Sequence, residues 1–240
     1  MRTPSRSSLA LAADLPLPEA LELYRRVEPW MGWAKVGLSL FVEHGPAAVE
    51  AFRAQGAQVF LDLKLHDIPN TVRLAAARAG ALGVGLLTVH ASGGRDMVAA
   101  AVEGAEEGAA AAGHAAPGIL AVTVLTSTTP ATLAGLGVTE TLEAQVQRLA
   151  EMALAAGARG LVCAPHEAGL LRAALGPHAL LCTPGIRPSG ADRGDQARAR
   201  TPAEAWAAGA DLLVVGRPVY RAEDPVTVAR SLLEALNGSA

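Results

Sequence analysis

Aromatic residues are scarce: three Trp, two Tyr and three Phe make up 3% of the 240 residues. Hydrophobic residues still reach 51%, so a substantial core has to be built from Leu, Val and Ala. Cysteine is almost missing too. Cys163 in "LVCAP" and Cys182 in "LLCTP" cannot make a disulfide framework, and with the six histidines they show no zinc spacing. They read as buried thiols of a cytosolic protein. No block of lysine or arginine stands out, and the net charge is −3 with a pI near 6.1. That argues against a dedicated nucleic-acid surface, which needs localised positive charge, but not against one phosphate held by one arginine. Apolar runs are short. The opening "MRTPSRSSLALAADLP" has arginines ahead of one, yet Asp14 interrupts it and no clean signal-peptidase site follows. It is also far too short to cross a bilayer. The expectation is a loose tail over about residues 1–7, a cytoplasmic location and no membrane partner. No long linker or compositional shift divides the chain, which points to a single domain over residues 1–240.

What the sequence does contain is repetition. Short apolar runs at 9–13, 33–37, 57–65, 84–90, 118–125, 159–164, 178–183 and 211–216 read as eight strands. Segments of helical length lie between or after them, among them Leu38–Ala54, Thr71–Ala79, Asp96–Ala112, Leu142–Ala155 and Pro218–Leu236. Gly56, Gly80, Gly83, Gly157 and Gly209 stand where such helices would end. Strand–helix alternation calls for parallel strands covered by helices, and eight units in this length fit an α/β fold of the closed (β/α)8 TIM barrel type. A doubly wound open sheet is the alternative, normally with fewer strands. The polar stretch "TPGIRPSGADRGDQARARTP", 183–202, is too short for a domain and too charged for a core. It reads as a lid over an active site.

In such a barrel the reactive groups gather where strands end. Asp14, Lys35, Asp62, Lys64, His90, Thr126, Arg187 and Arg217 all fall at or after expected strand ends. The most informative stretch is "LDLKLHDIPN". Leu61, Leu63 and Leu65 alternate with Asp62 and Lys64, so acid and base share a face, pointing inward if the leucines pack against helices. Lys35 in "WAKVG" could project the same way. Charges buried singly would each cost several kcal/mol, about as much as an unpaired buried ion usually does, so an alternating Asp/Lys array must pair them. It would also place an ammonium group where negative charge develops in a reaction. The plainer alternative is an exposed strand with a surface ion pair.

"VVGRPVY" is the second informative stretch. Gly216 and Arg217 follow the last strand and Pro218 suits a helix start, which together make a phosphate seat; "PGIR" at 184–187 could add to it from the preceding loop. A surface arginine in a plain turn is the competing reading. "HASGGRD" has glycines but not the spacing of a dinucleotide fingerprint. His66, His90, Asp62 and Asp67 could be taken as a metal cluster of a sugar-phosphate epimerase or a magnesium-dependent decarboxylase, but Lys64 beside the carboxylates can replace the divalent cation. No metal is expected. The other four histidines read as solvent or supporting residues.

"DLKLHDIPNT" (62–71) closely resembles the signature of the orotidine 5′-phosphate decarboxylase family, with its Asp-x-Lys-x-x-Asp core. The resemblance runs along nearly the whole chain, through "ADLP" (13–16), "KVG" (35–37), "TVHASGG" (88–94), "AVTVLTS" (121–127), "VCAP" (162–165), "TPGIR" (183–187), "DQ" (195–196) and "VGRP" (215–218). Relatives that share only the core, such as keto-gulonate-phosphate decarboxylases, usually lack "HDIPNT" and use magnesium. The alanine-rich "LALAADLP" departs from the family's "ALD"-like run without changing the aspartate.

The resemblance implies a cofactor-free decarboxylation of orotidine 5′-monophosphate to uridine 5′-monophosphate and carbon dioxide, in de novo pyrimidine biosynthesis. It implies that Lys64 protonates C6, that Asp62 lies against the substrate carboxylate, and that Lys35 and Asp14 hold ribose hydroxyls and complete the charge array. Asp67 resembles the carboxylate that a neighbouring subunit contributes, which implies a homodimer with shared sites and makes Lys64, Asp62, Asp67 and Lys35 the catalytic set. Ile68, Thr71 and Pro184 join the substrate contacts, and Thr126 or Ser127 meets the pyrimidine edge. Gln196, Arg187, Gly216 and Arg217 match the phosphate group. A metal-dependent sugar-phosphate enzyme and a non-catalytic binding barrel remain the other classes.

Overall fold

Each of the eight apolar runs becomes a strand, and the strands pair in parallel and in sequence order until β8 closes on β1. The computed structural model describes residues 3–187 and 200–238. Along the chain come β1 (Leu9–Ala12), α1 (Leu17–Val27), β2 (Trp33–Gly37), α2 (Leu38–His44), α3 (Pro46–Ala54) and β3 (Gln58–Leu65). They are followed by α4 (Pro69–Ala81), β4 (Leu86–His90), α5 (Arg95–Ala112), β5 (Gly118–Val122), α6 (Pro130–Gly135) and α7 (Leu142–Ala155). The barrel is completed by β6 (Gly160–Val162), α8 (Ala168–Leu175), β7 (Leu180–Thr183), α9 (Pro202–Ala207), β8 (Leu212–Val215), α10 (Arg217–Tyr220) and α11 (Pro225–Asn237). This is the (β/α)8 barrel.

Alternation along the strands divides the apolar residues into two cores. Ala10, Ala12, Phe60, Leu86, Leu120, Cys182, Leu212 and Val214 fill the barrel interior. Their neighbours of opposite parity, such as Leu9, Leu11, Val59, Leu61, Leu87 and Leu213, pack outward against the helices. The parity matters for function, because Asp62 and Lys64 continue the inward series begun by Phe60, while Leu63 and Leu65 pack with Leu61 on the helix side. Both cysteines are fully buried, and burial pushes both thiols well above their usual range. They are inert packing residues. No described helix is long and apolar enough to cross a membrane.

Some expectations are corrected. The segment Leu38–Ala54 is two helices, because Gly45 takes a left-handed φ of 57° and Pro46 has no N–H to continue the ladder. The segment Pro218–Leu236 is likewise interrupted, and Asp224 caps the second piece by accepting from the N–H groups of Val226 and Thr227. The described part of the N-terminal tail makes contacts with the residues before and at the start of β2. Gly32 N–H donates to the Arg6 carbonyl, Trp33 Nε1 donates to that of Ser7, and Arg6 pairs with Glu28 at 3.1 Å.

Gly80 does not terminate a helix. It lies within α4 at the crossing with α5, where a Cβ would collide with the Ala105 carbonyl. Gly104 and Gly108 of α5 meet the Arg73 and Ala77 carbonyls of α4 in the same way. The two helix backbones therefore touch. Gly108→Val is expected to destabilise the fold by about 1–3 kcal/mol through overpacking, read as a lower urea midpoint; an unchanged midpoint would contradict the close approach.

Candidate active site

The charged side chains converge on the rim where the strands end. Lys35 Nζ lies 3.7 Å from Asp14 Oδ1 and 3.6 Å from Asp62 Oδ2, and Lys64 Nζ lies 2.7 Å from Asp62 Oδ1. The result is an unbroken alternation, Asp14–Lys35–Asp62–Lys64, with no net charge. Lys35 and Asp62 keep only 12% and 13% of their side-chain surface, so their charges have to be offset within the array. Burial alone would raise the Asp62 carboxyl. The charges of Lys35 and Lys64, with hydrogen bonds from Lys64 and Thr88, outweigh burial and hold it below the usual carboxylate range. Gly37 makes the array possible, since a Cβ there would lie 2.8 Å from Lys35 Nζ.

The strand carrying Asp62 and Lys64 is irregular. Leu61 pairs with Leu87 but Leu65 pairs with Val89, so four steps on β3 are set against two on β4. Lys64 has a φ of 52° and is the one described residue other than glycine with positive φ. Such a conformation costs about 1–3 kcal/mol and persists where its surroundings enforce it, commonly at a functional site. Thr88 of β4 bonds to both residues: its Oγ1 accepts from Lys64 N–H at 2.9 Å and donates to Asp62 Oδ1 at 2.9 Å.

A pocket of about 160 Å³ adjoins the array, lined by Asp14, Lys35, Pro184, Arg187, Gly216, Arg217 and Tyr220 among others. Arg187 is buried, with Nη1 donating to the Ile186 carbonyl at 2.9 Å. The base of its loop is fixed by Arg187 N–H, which donates to the Arg200 carbonyl. Gln196 and residues 188–199 of the expected lid lie outside the described residues.

The structure thus brings together Asp14, Lys35, Asp62 and Lys64, and sets Pro184, Arg187, Gly216 and Arg217 beside them. Others do not line that pocket. Asp67, Ile68 and Thr71 are exposed on the turn into α4, where Asp67 Oδ1 accepts from Ile68 N–H. Thr126 is half-buried and Ser127 exposed on the loop after β5, four and five residues beyond its end. His66 and His90 face each other, ring centroids 5.5 Å apart, and burial, with His66 and Lys64 nearby, lowers His90 below the usual imidazole range. Among the described residues no group of three His, Cys, Asp or Glu side chains could hold a metal ion.

Sequence reasoning missed Thr88 and Tyr220. Thr88 has the inward parity of Leu86 and His90, which marks it as a polar group facing the axis beside Asp62. Tyr220 stands three residues after Arg217, one helical turn on.

Fold and rim define a (β/α)8 enzyme with an acid–lysine centre at its strand ends. The chain belongs to the orotidine 5′-phosphate decarboxylase / HUMPS family, which it matches over residues 7–232. It is 53% identical over 229 residues to the orotidine 5′-phosphate decarboxylase of Anaeromyxobacter sp. strain K, covering 95% of this chain and 97% of that protein. It is 50% identical over 230 residues to that of Thermobifida fusca, covering 95% of each. The crystal structure of orotidine 5′-phosphate decarboxylase from Lactobacillus acidophilus superposes with a TM-score of 0.84 at 35% identity, covering 98% of this chain and 100% of the other.

Proposed function

We propose that this chain is a carboxy-lyase that converts orotidine 5′-monophosphate to uridine 5′-monophosphate and carbon dioxide without a cofactor, in the cytoplasmic synthesis of pyrimidines. The observation that carries the reading is the Asp14–Lys35–Asp62–Lys64 chain beside a pocket bearing Arg187 and Arg217. The pocket takes the 5′-phosphate, with Gln196 joining from the 183–202 lid. Asp14 and Lys35 hold ribose hydroxyls, and Thr126 or Ser127 meets the pyrimidine. Ile68, Thr71 and Pro184 complete the contacts.

The substrate carboxylate then lies beside Asp62, which repels it, and beside Lys64, which attracts the charge left behind. As the C6–carboxylate bond breaks, its electron pair stays on C6, carbon dioxide leaves, and Lys64 Nζ gives a proton to C6. The resulting neutral amine is reprotonated from solvent. An ammonium held in place by Asp62 needs no reorganisation when carbanionic charge appears, which is the advantage of a preorganised site. Asp67 acts from the partner subunit of a homodimer. Its exposure, with the neighbouring Ile68 left 67% exposed, supports a segment that faces another chain.

Arg217→Ala tests the phosphate seat. A charge-assisted hydrogen bond contributes roughly 1.5–3 kcal/mol, so KM is expected to rise at least about tenfold. Some kcat is lost as well, because phosphate binding energy serves the transition state. If orotidine without its phosphate is turned over as well as the nucleotide, the seat is misplaced.

A further inference from the structure

The irregular stretch of β3 raises a question that the charge array does not answer. Between Leu61 and Leu65 the ladder to β4 is interrupted, so Asp62, Leu63 and Lys64 have no regular pairing on that side, although Asp62 still pairs with Gly37 of β2. A buried N–H without a partner is strongly disfavoured, and Lys64 in addition carries left-handed backbone that a side chain rarely adopts. One hydroxyl answers both. Thr88 is fully buried, and its Oγ1 lies 2.9 Å from Lys64 N and 2.9 Å from Asp62 Oδ1.

The chemistry of the partners fixes the direction of these bonds. A peptide N–H can only donate, so Oγ1 accepts from Lys64. A carboxylate can only accept, so the hydroxyl hydrogen points at Asp62. The same Oδ1 accepts from Lys64 Nζ at 2.7 Å. A closed ring follows, from the Lys64 N–H through the Thr88 hydroxyl to Asp62 and back to Lys64 through its own ammonium group. Both ends of the Lys64 residue, backbone and side-chain tip, are therefore referred to one carboxylate oxygen.

We propose that Thr88 is a positioning residue for the proton transfer, holding the Lys64 backbone in its left-handed conformation and fixing Asp62 so that the Lys64 ammonium is aimed at one point. Thr88 acts through Lys64 and Asp62. The inference rests on the decarboxylase reading above. It adds a residue of β4 to a centre that otherwise comes from β1, β2 and β3. Valine has the shape of threonine and can neither accept from Lys64 nor donate to Asp62, so a space-filling role and a positioning role separate cleanly.

The experiment compares wild type, Thr88→Val, Thr88→Ser and Thr88→Cys with orotidine 5′-monophosphate over a range of pH. Thr88→Val is expected to lower kcat about 10- to 100-fold, the effect of leaving a buried donor unpaired, with KM changed less than about threefold. Thr88→Ser keeps the hydroxyl and should recover kcat to within about threefold of wild type. Removing a donor from Asp62 disfavours its charged form, so the acid limb of kcat/KM moves to higher pH in Thr88→Val and not in Thr88→Ser. Should Thr88→Val not fold, Thr88→Cys decides: its sulfur is a weak acceptor and donor, and kcat is expected to fall at least about fivefold. Wild-type turnover with an unchanged kcat and acid limb in Thr88→Val, or with an unchanged kcat in Thr88→Cys when the valine variant does not fold, overturns this inference alone. A folded Thr88→Ser protein that fails to recover kcat also overturns it. A wild-type protein that does not decarboxylate the nucleotide overturns the proposed function and this inference with it.

Discussion

Lys64→Ala is expected to lose at least about a thousandfold in kcat, because in the proposed mechanism one side chain supplies both the proton and the positive charge beside the reacting carbon. KM should change far less. On the proposed reading Arg187 and Arg217 hold the phosphate in the pocket that adjoins the array, so ground-state binding survives while an interaction made in the transition state is lost. The fold should persist. Asp62 keeps Lys35 at 3.6 Å and the Thr88 hydroxyl at 2.9 Å, so its charge is not left alone in the barrel. The measurement is steady-state decarboxylation by a purified variant whose circular dichroism and thermal midpoint match those of wild type. A near-normal kcat in such a protein would remove Lys64 from the chemistry.

Mixing Asp67→Ala with Lys64→Ala is expected to restore activity that neither parent has. If Asp67 reaches across a two-fold axis, each site combines Asp62 and Lys64 of one subunit with Asp67 of the other. In the mixed dimer one site then carries both lesions and the other carries none. Random exchange of equal amounts makes about half of all dimers mixed, each with one intact site, so about a quarter of wild-type activity should return. The control is the same mixture with exchange blocked. Confirmed exchange without recovery would place Asp67 in its own subunit's site or outside the chemistry, and the decarboxylase reading would survive that result.

How far the sequence discloses this arrangement depends on whether the signal is periodic. All eight strands are legible, because buried parallel strands are continuous apolar runs. The inward direction of Asp62 and Lys64 follows from counting by two from Phe60. The same counting fails to show that the backbone is irregular there, since alternation predicts a regular strand while Lys64 is left-handed where the register to β4 shifts. Thr88 escapes for the same reason. Its importance comes from lying beside Lys64 N–H, a neighbour 24 residues away in sequence. Gly80 shows the opposite error, a local rule applied where a tertiary contact decides. Glycine before a strand suggests a helix end, but the α4–α5 crossing gives that glycine its role. Thr126 and Ser127 fall on a loop and not at a strand end, because β5 stops at Val122 although the apolar run continues to Leu125.

The most direct test is the ultraviolet absorbance of orotidine 5′-monophosphate incubated with the purified protein, with and without EDTA. The proposed metal-free mechanism, with Lys64 in the place of a divalent cation beside the carboxylates, predicts conversion to uridine 5′-monophosphate at the same rate in both. An unchanged spectrum, or turnover that the chelator abolishes and added magnesium restores, would contradict it.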